Sequence, residues 1–260
     1  MADLTPAQRL SAYMTASTQV RERVMTFADL LWGSMDSYRD ADINRLVDAI
    51  VPRVQAGQIA IANLTAAYVA DAAGAAGVPV IIAEVTDGRG VDPNVVYRRP
   101  AVTVYSELAA GAQFADAVKA GGLRLTQLIG MDMQMSKVRQ FRTSGTAAGF
   151  DGFRRTLTGR ENCAMCVIAS TQRYHIGNLM PIHPGCDCGV TPLKRGEGVS
   201  QVIDEALLES THDHVADFAG VANRGGRAPD YRQLIITQDH GEYGPTLAWR
   251  GDAFTGPDDL

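Results

Sequence analysis

The chain has 260 residues, 46% hydrophobic and 20% charged, with a formal net charge of −5. That is enough material for one large core or two small ones, and the acidic balance excludes a generally basic, nucleic-acid-wrapping surface while leaving room for a local basic face. No apolar run reaches the roughly 18 residues that span a bilayer, and MADLTPAQRL lacks the basic-then-apolar order of a signal peptide, so the expectation is a protein with no membrane contact, folded in a cytoplasm.

Thr5 is suited to cap a helix and Pro6 to open it. Leu10, Tyr13, Met14, Val20, Val24, Phe27 and Leu31 then recur at three- and four-residue steps, which predicts a helix over 8–30. Ile43, Leu46, Val47 and Ile50 predict a second over 42–73, interrupted or kinked at Pro52 and alanine-rich beyond it. The two are expected to pack through Leu10, Val24, Leu46 and Val54. Burying a Leu or Val gains about 1.5–3 kcal/mol while ordering backbone costs about 1–2 kcal/mol per residue, so the pair needs further partners, expected among helices in 105–142.

GAAGVP (74–79) ends this hairpin, VIIAEV (80–85) reads as a short strand or a buried apolar link, and TDGRGVDPNVVYRRPA (86–101) reads as a long loop and a domain boundary. Ser106 opens a helix that AGG (120–122) ends, and Leu125, Leu128, Ile129, Met135 and Val138 predict another that stops near Ser144. Beyond Gly149 the texture changes to short extended pieces such as FRRTL (153–157), a cysteine window, a helix over 200–218, and a closing stretch rich in Gly, Pro and Asp that reads as a loosely structured wrap or tail. The fold class is therefore α+β, mainly helical. Its expected parts are an N-terminal helical region (1–85), a linker with central helices (86–148), a small cysteine-clamped, zinc-ribbon-like module (149–195), and a C-terminal helix with an extended tail (196–260).

All four cysteines fall within 163–188. Cys163 and Cys166 form C-x2-C, a spacing at which one tight turn aims two thiolates at one ion, and Cys186 and Cys188 form C-x-C, which projects two side chains to one face of an extended chain. Two such pairs close on one tetrahedral zinc across the intervening loop. His183, three residues before Cys186, is placed to substitute for one thiolate or to stand behind the ligands. Buried thiols or two disulfides are the alternatives that the spacing leaves open, and a nucleophilic cysteine would need a base such as His183 and a lowered thiol pKa.

The order GFRRTLTGRENCAMCVIASTQRYHIG followed by HPGCDCGVTP resembles the phage Mu F-like domain of minor head proteins, through Arg154, Arg155, Cys163, Cys166, Tyr174, His183, Cys186, Cys188 and Pro192. From about residue 95 onward the chain is similar to actinobacteriophage head proteins labelled capsid maturation protease or Mu F-like protein, with RRP (98–100) before a helix and a closing HGEYGP (240–245). The resemblance implies a minor structural protein of a tailed-phage head, in the head interior or at the portal vertex of the virion and assembled in the bacterial host cytoplasm. The partners it implies are the portal protein and the major capsid or scaffold protein, with roles in procapsid assembly and in DNA packaging or ejection. It also brings the alternative of a prohead maturation protease. For that chemistry the sequence has no G-x-S-x-G and no H-E-x-x-H; its glycine-flanked serine is TSG at 143–145, and His212 and His214 stand two apart on an expected helix.

Between 124 and 160 there are seven basic residues, Arg124, Lys137, Arg139, Arg142, Arg154, Arg155 and Arg160, against Asp132 and Asp151. A solvated helix face accounts for such a run. The sharper expectation is contact of Lys137, Arg139, Arg142, Arg154 and Arg155 with an acidic partner, either a portal surface or, non-specifically, the phosphates of packaged DNA. Phe141, Phe150 and Phe153 are too few for base stacking to read a sequence.

Overall fold

A computed structural model of the chain describes residues 4–157, 164–170, 173–181, 186, 188–197, 235–249 and 254. It is mainly helical with a smaller strand component. Helix α1 (Pro6–Gly33) opens on the capping box suggested by Thr5: its hydroxyl accepts from the Gln8 amide at 3.3 Å while the Gln8 side chain accepts from the Thr5 amide at 2.9 Å. Helix α2 (Asp40–Ala73) runs unbroken through Pro52, which lies on its exposed side, and stops at Gly74, whose φ of 63° gives the left-handed cap that favours glycine. Leu10, Val24, Leu46 and Val54 are all buried. Near its start α1 is pinned to α2 by Tyr13, which stacks on Tyr68 at 4.6 Å and shares a 2.8 Å hydrogen bond with Thr65.

The two helices pack against α6 (Phe114–Ala147), the spine of the molecule. AGG does not end a helix, because α6 passes straight through Gly121 and Gly122. A Cβ on Gly121 would lie 2.7 Å from Trp32 and Val104 and 2.8 Å from the Pro100 carbonyl, so glycine here permits a close crossing of α1 and of α5 (Arg99–Ala109) over α6. The indole Nε1 of Trp32 donates to the Val118 carbonyl at 3.1 Å in the same crossing.

The segment 80–101 also departs from its reading. Residues 80–85 form neither a strand nor a buried link: Ile82–Thr86 is a short helix, α3, in which Val85 is buried while Ile81 before it and Ile82 are 53% and 58% exposed. Residues 86–101 hold another short helix, α4 (Pro93–Val96), and the start of α5. Arg89 plunges from this segment into the core. Its Nε meets Asp132 at 2.7 Å and its Nη2 donates to the Leu128 carbonyl at 3.1 Å, while Tyr97 donates to the other Asp132 oxygen at 2.5 Å. Burial, together with the adjacent Asp132 carboxylate, raises the Tyr97 pKa well above its ordinary value, so the phenol remains a donor.

Beyond α6, strand β1 (Gly152–Thr156) forms the centre of a three-stranded antiparallel sheet, flanked by β2 (Arg173–His175) and β3 (Gly189–Leu193); α7 (Ala164–Ser170) lies between β1 and β2 in sequence. The expected loose tail is corrected over its described part. Residues 235–249 form a hairpin, β4 (Ile235–His240) and β5 (Gly244–Trp249), and its turn docks on the helices. Glu242 accepts from Arg124 Nε and Nη2, both at 3.0 Å, with Arg99 at 3.7 Å; Tyr243 is completely buried; the Leu247 amide donates to the Pro181 carbonyl at 2.9 Å. One core cluster joins α1, α2, α4, α5, α6 and Tyr243; a second joins α1, α2 and α6 to the three-stranded sheet. Each draws on several of the segments delimited in the sequence. The expected helix over 200–218, with His212 and His214, lies outside the described residues.

Because Asp132 and Arg89 are each about nine-tenths buried, replacing Arg89 by Met leaves a carboxylate without its counter-charge. Arg89→Met should lower the stability of the full chain by about 3–5 kcal/mol in a urea titration.

Candidate metal centre

Strand β1 alternates its side chains, so Phe153 and Arg155 share the buried face while Arg154 falls on the other, half-buried side. Residues 186 and 188 lead into β3, which pairs with β1 so that Val190 lies opposite Arg155. Helix α7 contributes Cys166. These three pieces bring Cys166, Cys186 and Cys188 together, with exposures of 3%, 3% and 1%. The Cys186 sulfur is 3.3 Å from that of Cys166 and 3.1 Å from that of Cys188, and all three sulfurs lie within 4.8 Å of one another. Sulfurs on a tetrahedral zinc with bonds of about 2.3 Å stand roughly 3.8 Å apart. The three thiols need only a slight spreading to hold a metal ion. Cys163 and His183, the other expected ligands, lie outside the described residues.

The groups around the sulfurs are positively charged or donors. Arg155 points its Nη1 at the Cys188 sulfur from 3.2 Å and its Nη2 at the Met180 carbonyl. Lys137, from α6, reaches the Cys188 carbonyl at 3.3 Å. Gln134, one helical turn earlier, donates to the Cys186 carbonyl, as does Arg21 of α1 at 3.4 Å. The thiol-bearing segment is thus fastened to two helices of the core through its own backbone.

Electrostatics separate the two neighbouring thiols. Hydrogen bonds from the Cys166 and Cys186 thiols hold Cys188 well below the ordinary thiol range, and the charges of Arg155 and Lys137 add to them against the effect of burial. The Cys166 hydrogen bond pulls Cys186 down as well, but the bond to Cys188, burial and the charge on Cys188 together push it up to about 12. Burial draws the Lys137 pKa down against the opposing pull of Cys188 and Cys186. For Arg155, burial is outweighed by the same sulfurs, and its pKa rises. Soft, buried donors, one of them readily ionised, with cations behind them form a set suited to a thiophilic divalent ion.

The basic stretch is dispersed. Lys137 and Arg155 were expected on a partner-facing surface, but they are 8% and 4% exposed and face the thiols. Arg155 turns inward and meets the Cys188 sulfur. Arg139 donates to the carbonyls of Glu84 and Gly88, and Arg124 is held by Glu242. Arg142 lines a broad open cleft beside Arg139, Thr143 and Thr146. Arg21, Arg155, Gln134 and Lys137 were all missed as partners of the thiol segment, and the last two carried a signal. Their signal was position: both lie in an α6 run, 131–138, with Met131, Met133, Met135 and Val138, where a solvated face would have been polar on one side.

No protein-family model, no curated protein and no solved structure matches the chain. Among the described residues no helix is long and apolar enough to cross a membrane.

Gln134→Ala would deprive the buried Cys186 carbonyl of a donor. It should cost about 1–3 kcal/mol in urea unfolding, while Asn63→Ala on the exposed side of α2 should stay within about 0.5 kcal/mol of the parent.

Proposed function

We propose that the chain is a minor structural protein of a tailed-phage head, portal-associated and active in procapsid assembly, in which zinc clamps the three-stranded sheet to the helical body. Cys166, Cys186 and Cys188 would hold the ion, with Cys163 or His183 as the fourth ligand. Zinc would supply folding energy here and no chemistry, since zinc bound to small modules contributes apparent free energies on the order of 10 kcal/mol. The observation that carries the metal reading is the burial of three thiols within 4.8 Å of one another with two cations turned toward them. The assignment to phage heads is supported by the resemblance of the 152–192 segment to the Mu F-like domain. A maturation protease needs an open coordination position or an accessible nucleophile, and thiols at 1–3% exposure favour the structural role.

Purified under reducing conditions, the protein should carry about one zinc per chain, and a chelator should disorder the sheet while much of the helical circular dichroism persists. Protein that folds fully with no metal overturns the zinc assignment. Co-expressed with portal and capsid proteins, the wild type should enter heads without generating a new cleavage product, and Cys186→Ser should fail to enter. Capsid processing that depends on this chain would instead establish the protease.

A further inference from the structure

The β4–β5 turn and the helical surface that receives it are each shaped by their own residues. In the hairpin, His240 Nδ1 accepts from the Glu242 and Tyr243 amides at 3.2 and 3.3 Å, and the imidazole stacks on the Tyr243 ring at 4.6 Å. Gly244, with a φ of 74°, supplies the left-handed residue that closes the turn. On the helical body, Asp132 holds Arg89 Nε at 2.7 Å, and the Thr103 hydroxyl accepts from Arg124 Nη1 at 2.8 Å. The turn therefore presents Glu242 and Tyr243 in a set conformation, to arginines that other partners already orient.

Where the two meet, what is recognised is the turn itself. Arg124 forks onto both Glu242 oxygens at 3.0 Å, and Arg99 stands 3.7 Å from the same carboxylate. Arg89 donates to the Glu242 carbonyl, and its guanidinium lies 5.6 Å from the centre of the completely buried Tyr243 ring. A bidentate arginine on a carboxylate, beside a buried tyrosine, is the make-up of the residues that dominate binding between proteins. None of these bonds requires the turn to belong to the same chain, and every copy carries both turn and socket. We infer that the socket of Arg89, Arg99 and Arg124 takes the Glu242–Tyr243 turn of a second copy, so that two copies join by exchanging hairpins. The contact is the same within a chain and between chains, so concentration sets the balance between a closed monomer and an exchanged dimer.

Two charge-reversed variants of the full chain test this. In Arg124→Glu the chain's own turn and socket repel, and in Glu242→Lys they repel with the opposite sign, so that complementary contacts exist only between one variant and the other. An equimolar mixture should sediment as a one-to-one dimer, and each variant alone should associate at least about 30-fold more weakly. The wild type should show a dimer fraction that rises with concentration. A mixture of folded variants that stays monomeric overturns the inference, as does a wild type monomeric at every concentration reached. Either variant dimerising alone as well as the mixture also overturns it, because the association then uses another surface. The chain that carries both reversals closes on itself and reports whether the substitutions are tolerated. If either single variant fails to fold, Arg124→Met and Glu242→Gln replace them; their mixture still holds one intact turn and one intact socket, on different chains, and the same outcomes decide.

Discussion

Helix α6 is buried over most of its second half, although Asp132, Gln134, Ser136, Lys137, Gln140 and Ser144 lie there. A helix covered on several sides must find a partner for each polar group, because an unpaired one costs on the order of 1–3 kcal/mol and an unpaired charge far more. Those partners come from different parts of the chain. Asp132 takes Arg89 and Tyr97 from 86–101, Ser136 donates to the Val85 carbonyl at 2.9 Å, Gln134 and Lys137 hold the carbonyls of Cys186 and Cys188, and Gln140 pairs with Ser144 at 2.9 Å. Apolar burial brings α1, α2 and α5 onto the spine; polar satisfaction fixes which loop, and which end of the sheet, reaches each level of it. Networks of this kind specify one arrangement more sharply than apolar contact alone.

Much of the helical architecture was legible because its signals are local. Thr5 with Gln8, the three- and four-residue apolar steps and the glycine at 74 act within a turn or two of the residues they order. What was misread depends on distant contacts. Gly121 and Gly122 carry the same local signal as a helix stop, and it is Trp32, 89 residues before Gly121, together with Pro100 and Val104 of α5, that makes them a crossing point. Arg89 sits among turn-forming residues, and nothing near it in sequence announces Asp132. HGEYGP reads as a loose tail by composition, but the burial of Tyr243 and the grip of Arg124 on Glu242 turn it into an anchored hairpin.

The same distinction runs through the thiol cluster. C-x2-C and C-x-C are short-range patterns, and Cys166 of the first converges with both cysteines of the second. The cations behind the thiols were counted as surface charge, because a tally over 124–160 cannot tell a solvated lysine from one sunk among methionines. With Lys137 and Arg155 withdrawn to the thiols and Arg124 and Arg139 bound to other segments, the basic face among the described residues is reduced to Arg142 and the half-buried Arg154. The cysteine-bearing segment joins a peripheral sheet to the spine that organises everything else, so disturbing it should propagate to packing more than to any local chemistry.

The central claim is that one metal ion sits among these three thiols, and diffraction at the zinc absorption edge from crystals of the reduced, full-length protein tests it most directly. The account predicts a single anomalous peak within about 2.3 Å of the sulfurs of Cys166, Cys186 and Cys188. Continuous density joining sulfur pairs at about 2.05 Å, with no anomalous peak between them, would contradict it.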